Sequence, residues 1–205
     1  MNYPTKSVSG RKLANAAKRA GLVLAPARKG QGTHKRSKIL KEQHGSSKDI
    51  MLMGSTGFRT FTDPTAEFHE VIKNCRGAKI MLLNPSSNAA CIRATSILDK
   101  SVTVARFRRQ IRKSIEFIES LNRVHPNVRL KLYDDVPFLK LTILGDYIWV
   151  QHYHAGLDVK NMPEYVFKHG RQSRGFYSFF YQYFFSRWND PGIIEYDFGV
   201  ETPLH

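Results

Sequence analysis

Polar side chains that could bind a ligand recur at alternate positions between residues 138 and 154. Two apolar runs there are joined by Gly145-Asp146, a two-residue link typical of a β-hairpin. A tight turn pairs Lys140 with Gln151, so that one face of the hairpin collects a cation, an amide and hydroxyl groups. An ammonium group is costly to desolvate without a partner, which suits an anion. We therefore predict a ligand-binding face made of Lys140, Thr142, Gln151 and Tyr153.

Lys140 is open to a second interpretation, in which it has no ligand and forms an ion pair with Asp134, Asp135 or Asp146. The loop Gly54-Ser-Thr-Gly57 could add Ser55 and Thr56 to a phosphate site, because such loops offer backbone N–H groups and hydroxyls to an anion. The same residue types also describe an ordinary turn. Sequence alone leaves both alternatives open.

His152 and His154 are two residues apart, so a strand directs both to one side. With Lys140 they could serve a metal-independent phosphodiesterase or nuclease in which a histidine attacks phosphorus. The hairpin register instead places them opposite to Lys140, on the core face. No Cys, His or Glu cluster elsewhere has the spacing of metal ligands. We therefore predict packed histidines, no catalytic residue, no metal site and no cofactor.

The surrounding elements predict an α/β fold with a mixed sheet flanked by helices. We predict a parallel βαβ unit, made of the apolar run 50–53, a helix carrying Phe68 and Cys75, and the apolar run 78–83. A long amphipathic helix is expected from Ser101 to about Val124, with four cations away from its apolar side. The aromatic residues 176–188 predict a last helix that covers one face of the sheet.

Positive charge is concentrated near the N-terminus. The 205 residues carry a net charge of +15, and residues 1–48 hold twelve Lys and Arg against one acid, Glu42. The segment is either a solvated linker or a largely disordered arm that binds DNA or RNA through its cations. The residues predicted to contact phosphates are Arg11, Lys12, Lys18, Arg19, Arg28, Lys29, Lys35, Arg36 and Lys38.

Cysteine content and hydropathy bear on the compartment. Two cysteines cannot form a disulfide framework, which favours a reducing, cytoplasmic environment. No apolar run approaches the ~20 residues that span a bilayer, and no apolar segment follows the first cations as in a signal peptide. We expect neither a membrane span nor a secretory signal.

The hairpin resembles the phospholipase-D-like superfamily, whose motif is His, any residue, Lys, four residues, then Asp. Lys140 matches the motif lysine, while Phe138 occupies the position of the nucleophilic histidine. Gly145 occupies the Asp position, and Asp146 follows one residue late. The order of strands, long helix and aromatic helix over residues 49–190 is also similar, in particular to uncharacterised bacterial domains attached to DNA-binding regulators.

The resemblance implies three segments: a basic arm (1–48), a phospholipase-D-like domain (49–190) and a C-terminal tail (191–205). It also implies a homodimer and a phosphoryl-transfer site in which two histidines cooperate. Since Phe138 has no nucleophilic atom, the resemblance implies a degenerate module that keeps a phosphate or nucleotide pocket. A further alternative is a scaffold subunit whose arm docks on a larger nucleoprotein complex.

Overall fold

A mixed seven-stranded sheet runs through the residues that a computed structural model describes, which are 10–24, 39–41, 49–66, 68–170 and 175–199. The strands lie side by side in the order β1-β7-β6-β5-β2-β3-β4. In chain order they are β1 (Leu22–Leu24), β2 (Asp49–Met53), β3 (Gly77–Leu83), β4 (Val128–Tyr133), β5 (Leu139–Leu144), β6 (Tyr147–His152) and β7 (Tyr165–Lys168).

Helices cover both faces of this sheet. They are α1 (Gly10–Arg19), α2 (Phe58–Thr62), α3 (His69–Lys73), α4 (Asn88–Thr95), α5 (Val104–Val124) and α6 (Phe176–Trp188). A 3-10 turn, Val159–Asn161, precedes β7. The predicted α/β class with a mixed, helix-flanked sheet is confirmed.

The strands β2, β3 and β4 form the parallel half of the sheet. Ile50 pairs with Ala78, and Ala78 pairs with Val128, in two parallel ladders. The expected parallel pairing of β2 and β3 is present. The expected single helix carrying Phe68 and Cys75 is not, because two short helices, α2 and α3, join the strands and α3 covers His69–Lys73 alone. The amphipathic helix α5 buries Phe107 and Ile111 among others, as its spacing predicted.

The hairpin β5–β6 has the predicted register. Leu144 pairs with Tyr147, and Lys140 pairs with Gln151. Gly145 adopts a φ of 52°, a left-handed conformation that glycine takes without steric penalty. The turn therefore fixes which side chains share a face.

The aromatic helix α6 lies across one face of the sheet, as predicted. The ring of Phe180 lies 5.6 Å from that of Phe167 on β7. At the other end of the helix, the ammonium group of Lys131 on β4 lies 5.5 Å from the Trp188 ring. The helix thus spans from β7 to β4.

The expectation that the folded body begins at Asp49 is wrong. Leu22 in β1 pairs antiparallel with Phe167 in β7, so residues assigned to the arm form an edge strand of the sheet. The backbone N–H of Lys168 also donates to the carbonyl of Gly21 at 2.8 Å. Residues 191–199, predicted as a tail, run beside β4, where Tyr196 donates to the Leu130 carbonyl at 2.8 Å.

Candidate functional site

A cleft of about 1020 Å³ opens where β2 ends, β5 begins and β6 ends. Loops that follow the carboxyl ends of parallel strands commonly form the ligand site of open α/β sheets. Here the loop after β2, the start of α5 and the segment 158–165 form its walls. Leu52 and Thr142, which pair across β2 and β5, lie on its floor.

The structure brings all six predicted ligand-binding residues to this cleft. Four come from the hairpin and two from the loop after β2, and the period of two along β5 and β6 places the hairpin residues on one face. They are Lys140, Thr142, Gln151, Tyr153, Ser55 and Thr56.

Two tyrosines hold the loop that follows β2. The hydroxyl of Tyr153 accepts a hydrogen bond of 2.7 Å from the backbone N–H of Ser55. The hydroxyl of Tyr133 donates to the carbonyl of Gly54 at 2.9 Å. Burial raises the pKa of both tyrosines, so both hydroxyls stay protonated around neutral pH.

Glycine is required at the far end of the same loop. Gly57 has a φ of 62°, and a Cβ there would lie 2.4 Å from the Phe61 ring. At the other end, a Cβ at position 54 would make only ordinary contacts, 3.4 Å from the Tyr153 hydroxyl and 3.8 Å from Cγ of Lys140. Gly57 is therefore needed both for the backbone conformation of the loop and for its packing.

Gln151 positions the opposite wall of the cleft. Its Nε2 donates to the carbonyls of Val159 and Met162, both at 3.1 Å, and the side chain is buried. These two bonds hold the 3-10 turn against β6. Both hydrogens of the amide nitrogen are thereby used. Gln151 therefore shapes the cleft by holding the segment 159–162 in place.

Lys140 is half-buried in the cleft. Of the three aspartates considered as its partners, Asp135 forms an ion pair with Arg187 of α6. A second lysine of the cleft lining, Lys41, is 8% exposed and pairs with Glu164 at 3.2 Å. Sequence analysis assigned no role to Lys41, because nothing local to residues 39–41 indicates burial.

The two histidines lie outside the cleft. The expectation that they face the core is wrong, because both His152 and His154 are exposed. The ring of His152 contacts that of Phe138 edge-on, with 4.8 Å between centroids. Phe138 precedes the first residue of β5, is 58% exposed and does not line the cleft.

Sequence analysis also missed Arg93 of α4, which is 3% exposed and lines the cleft. Its guanidinium lies over the Tyr153 ring at 5.0 Å. Ala89, Ala90 and Ala94 are buried on the same short helix, so this helix packs closely. The sequence did contain a signal for this burial, since Arg93 follows Ala89 by four residues and Ala90 by three and so shares their helix face.

The cleft carries an excess of positive charge. Its described lining includes six cations against three acids. The cations are Lys41, Arg59, Arg93, Arg106, Lys140 and Lys160, and the acids are Asp99, Asp158 and Glu164. Phe58, Phe68 and Phe107 add an apolar wall. The arrangement can hold an anion that also has an aromatic or apolar part.

The predicted nucleic-acid-binding residues are only partly described. Lys18 and Arg19 are exposed near the end of α1. Arg11 and Lys12 lie in α1, where their backbone alone is described. Arg28, Lys29, Lys35, Arg36 and Lys38 lie outside the described residues.

Metal ligands and membrane spans were searched within the described ranges. There, no three His, Cys, Asp or Glu side chains group closely enough to hold a metal ion. No helix of those ranges has the length and apolar character needed to cross a bilayer.

No protein-family model matches the chain, and no curated protein matches it. Among solved structures the chain is similar to TrmBL2, described as an archaeal chromatin protein with a novel mode of DNA binding. The two sequences are 12% identical, and the match covers 91% of this chain and 61% of that chain, with a TM-score of 0.42. The chain thus spans less than two thirds of TrmBL2, and at this similarity neither fold nor function transfers.

Proposed function

We propose that the chain is a catalytically degenerate phospholipase-D-like module. Its cleft binds a phosphate-bearing ligand of about nucleotide size, and its basic N-terminal residues bind nucleic acid. It acts as a regulatory or effector subunit. The observation that carries the proposal is the charge of the cleft, in which six described cations face three acids.

The positions of the cations support an anionic ligand. Arg106 of α5, Lys140 of β5 and Lys160 of the 3-10 turn reach the cleft from three separate elements. Hydroxyl groups of Ser55 and Thr142 lie among them. Together these groups suit the several oxygens of a phosphate, while the phenylalanine wall suits a base or another flat apolar group.

The cleft has the size of a ligand site. Its volume of about 1020 Å³ lies at the upper end of the roughly 300–1,000 Å³ typical of small-molecule pockets. A nucleotide would fill it only in part, so a dinucleotide or the end of a strand also fits. Size alone favours none of these ligands over another.

The described lining of the cleft contains no histidine, which supports binding rather than hydrolysis by the phospholipase-D route. Phe138 stands where the phospholipase-D-like motif has its histidine, and a phenyl ring cannot attack phosphorus. His152 and His154 are exposed and do not line the cleft. Lys140 thus lacks a neighbouring imidazole among the described lining residues.

The charge of residues 1–48 supports the nucleic-acid partner. Twelve cations against one acid favour release of the counterions condensed on a phosphate backbone. The phospholipase-D-like resemblance further supports a homodimer. Light scattering on the eluted protein would then give a molar mass near twice the 23.5 kDa of one chain.

Calorimetric titration tests the cleft. Wild type is titrated with inorganic phosphate and with the four ribonucleoside monophosphates, alongside Lys140→Met, which keeps the length of the side chain and removes its charge. We expect Lys140→Met to weaken binding about tenfold or more, since a charge-assisted hydrogen bond is lost. Lys73→Met, an exposed lysine of α3 outside the cleft, is the matched control. Wild type that binds none of these anions at millimolar concentration would reject the cleft function.

The salt dependence of nucleic-acid binding tests the N-terminal residues. Replacing Arg28, Lys29, Lys35, Arg36 and Lys38 by Gln in the full chain removes five charges. If all five contact phosphates, the slope of log affinity against log salt becomes shallower by about 4. Exchanging five exposed cations of the folded part, among them Arg109 and Lys113, is the control. An unchanged slope in the N-terminal variant would reject this part of the proposal.

A further inference from the structure

Arg93 is the only arginine among the described residues that is fully buried, with 3% of its surface exposed. It lies on α4 and forms part of the cleft wall. Buried arginines are ordinarily paired with a carboxylate, because an isolated charge is expensive to desolvate. Arg93 forms no ion pair within 4.0 Å with any described acid.

Neutral acceptors take up only part of its donor capacity. Nη1 donates to Oγ of Ser96 at 3.1 Å and to the carbonyl of His154 at 2.9 Å, and Nη2 donates to the carbonyl of Leu157 at 2.8 Å. A guanidinium has five N–H donors. The Nε–H has no hydrogen-bond partner, and one Nη2–H also remains. Nε and Nη2 form one edge of the guanidinium, which is the edge that binds two oxygens of a phosphate side by side.

The surroundings compensate the positive charge of Arg93 only in part, because Asp158 acts on it without forming an ion pair. One guanidinium face is covered by the Tyr153 ring, 5.0 Å away. Burial lowers the pKa of Arg93, while Tyr153 and Asp158 oppose that shift. The guanidinium nevertheless stays charged, since arginine titrates far above neutral pH. The site therefore has a fixed, dehydrated cation that an anion would neutralise.

We propose that Arg93 anchors the phosphate group of a phosphomonoester in the cleft, with its free Nε and Nη2 donors on two phosphate oxygens. The inference rests on the proposed function of the cleft and names its anchoring residue and its ligand class. Nε is enclosed in the structure, so a phosphate reaches this edge only if the residues around Nε move.

A phosphomonoester can come from a free nucleotide or from the phosphorylated end of a nucleic-acid strand. Both present the same dianionic group to Arg93. The ligands for the test are therefore adenosine monophosphate, a 5′-phosphorylated hexanucleotide and the same hexanucleotide with a 5′-hydroxyl. Binding of adenosine monophosphate would identify the ligand as a free nucleotide. Tighter binding of the 5′-phosphorylated hexanucleotide than of the 5′-hydroxyl hexanucleotide would identify it as the end of a strand.

The informative variant is Arg93→Lys in the full chain, because it keeps the charge and removes the two-donor edge. We expect its affinity for the preferred phosphomonoester to fall about 10- to 100-fold. Its affinity for the 5′-hydroxyl strand should stay within about twofold, because that strand offers no phosphomonoester. Arg108→Lys is the matched control, since Arg108 is a half-buried arginine of α5 that lies outside the cleft. Its affinities should equal those of wild type.

Thermal melts separate anchoring from a purely structural role. Arg93 also holds the loop 154–157, so each variant's shift in melting temperature with ligand is compared with its own ligand-free value. Wild type that binds no phosphomonoester rejects the cleft function and the anchor together. If wild type binds a phosphomonoester, Lys140→Met binds it more weakly and Arg93→Lys binds it as wild type does, only the role of Arg93 as anchor is rejected. Equal weakening of both hexanucleotides by Arg93→Lys also rejects it.

Discussion

The hydroxyl oxygen of Tyr153 accepts a hydrogen bond of 2.7 Å from the backbone N–H of Ser55, a residue 98 positions away in the chain. Both residues are buried, and both line the cleft. The bond joins the end of β6 to the loop after β2. The bond therefore links the two sides of the cleft at this point, and the Tyr153 ring lies 5.0 Å from the Arg93 guanidinium.

Removing that acceptor should destabilise the fold. Tyr153→Phe keeps the ring and leaves the Ser55 N–H buried without its partner, which costs about 1–3 kcal/mol of unfolding free energy. Urea denaturation measures the change. Tyr165→Phe, an exposed tyrosine of β7, should change stability by less than about 0.5 kcal/mol. Equal stability of the two variants would contradict the role given to this bond.

The ion pair of Lys41 with Glu164 should contribute measurably, unlike an ion pair at the surface. Its side chains are 10% and 18% exposed, so Glu164→Gln removes a carboxylate from a largely buried ammonium group. We expect a loss of about 1–3 kcal/mol in unfolding free energy. A double-mutant cycle with Lys41→Met should give a coupling energy of about 0.5–3 kcal/mol. Glu70→Gln, which breaks an exposed pair with Lys73, should cost under about 0.5 kcal/mol.

Stability should fall at high pH because of a buried phenol. The hydroxyl of Tyr177 donates to the carbonyl of Gly145 at 2.8 Å, and burial raises its pKa to about 12. In the unfolded chain a tyrosine titrates near pH 10. Between about pH 10 and 12 the unfolded state releases a proton that the folded state keeps, so stability decreases as pH rises and is unaffected below that window.

The measurement is urea denaturation at a series of pH values from 9 to about 11.5. Tyr177→Phe should flatten the decrease, because the group that titrates differently in the two states is gone. Part of the decrease should remain, since burial raises the pKa of Tyr133 and Tyr153 as well. A slope identical to that of wild type would show that Tyr177 titrates normally.

Restoring the motif histidine should not restore hydrolysis. In Phe138→His the new imidazole would replace an exposed ring that contacts His152 and does not line the cleft. We expect no hydrolysis of bis(p-nitrophenyl) phosphate in the presence of a chelator. His152→Ala and Lys140→Met serve as controls on any background rate. Hydrolysis that requires both the introduced histidine and Lys140 would contradict the geometry and support a phosphodiesterase.

Local signals were sufficient for the hairpin. A two-residue turn fixes register, and once Lys140 pairs with Gln151 the period of two sorts every neighbouring side chain. The rule failed at the ends of the strands. Phe138 comes before the first residue of β5, so the alternation of side chains along the strand does not apply to it. His152 is the last residue of β6, where the face that is buried further along the strand is exposed.

Contacts between distant parts of the chain could not be predicted in this way. The three-residue strand Leu22–Leu24 has no readable period and exists because β7 supplies its hydrogen bonds. The burial of Arg93 depends on acceptors at Ser96, His154 and Leu157, two of which are about sixty residues away. Neither feature follows from residue type, because each requires the folded sheet to be in place first.

The anchoring of Lys41 sets a limit on how far the basic residues before it can extend. Leu24 is fixed in the sheet by β7 and Lys41 by Glu164, and sixteen residues separate these two attachments. An extended chain covers at most ~3.6 Å per residue, so no residue between them can lie more than about 30 Å from both attachments.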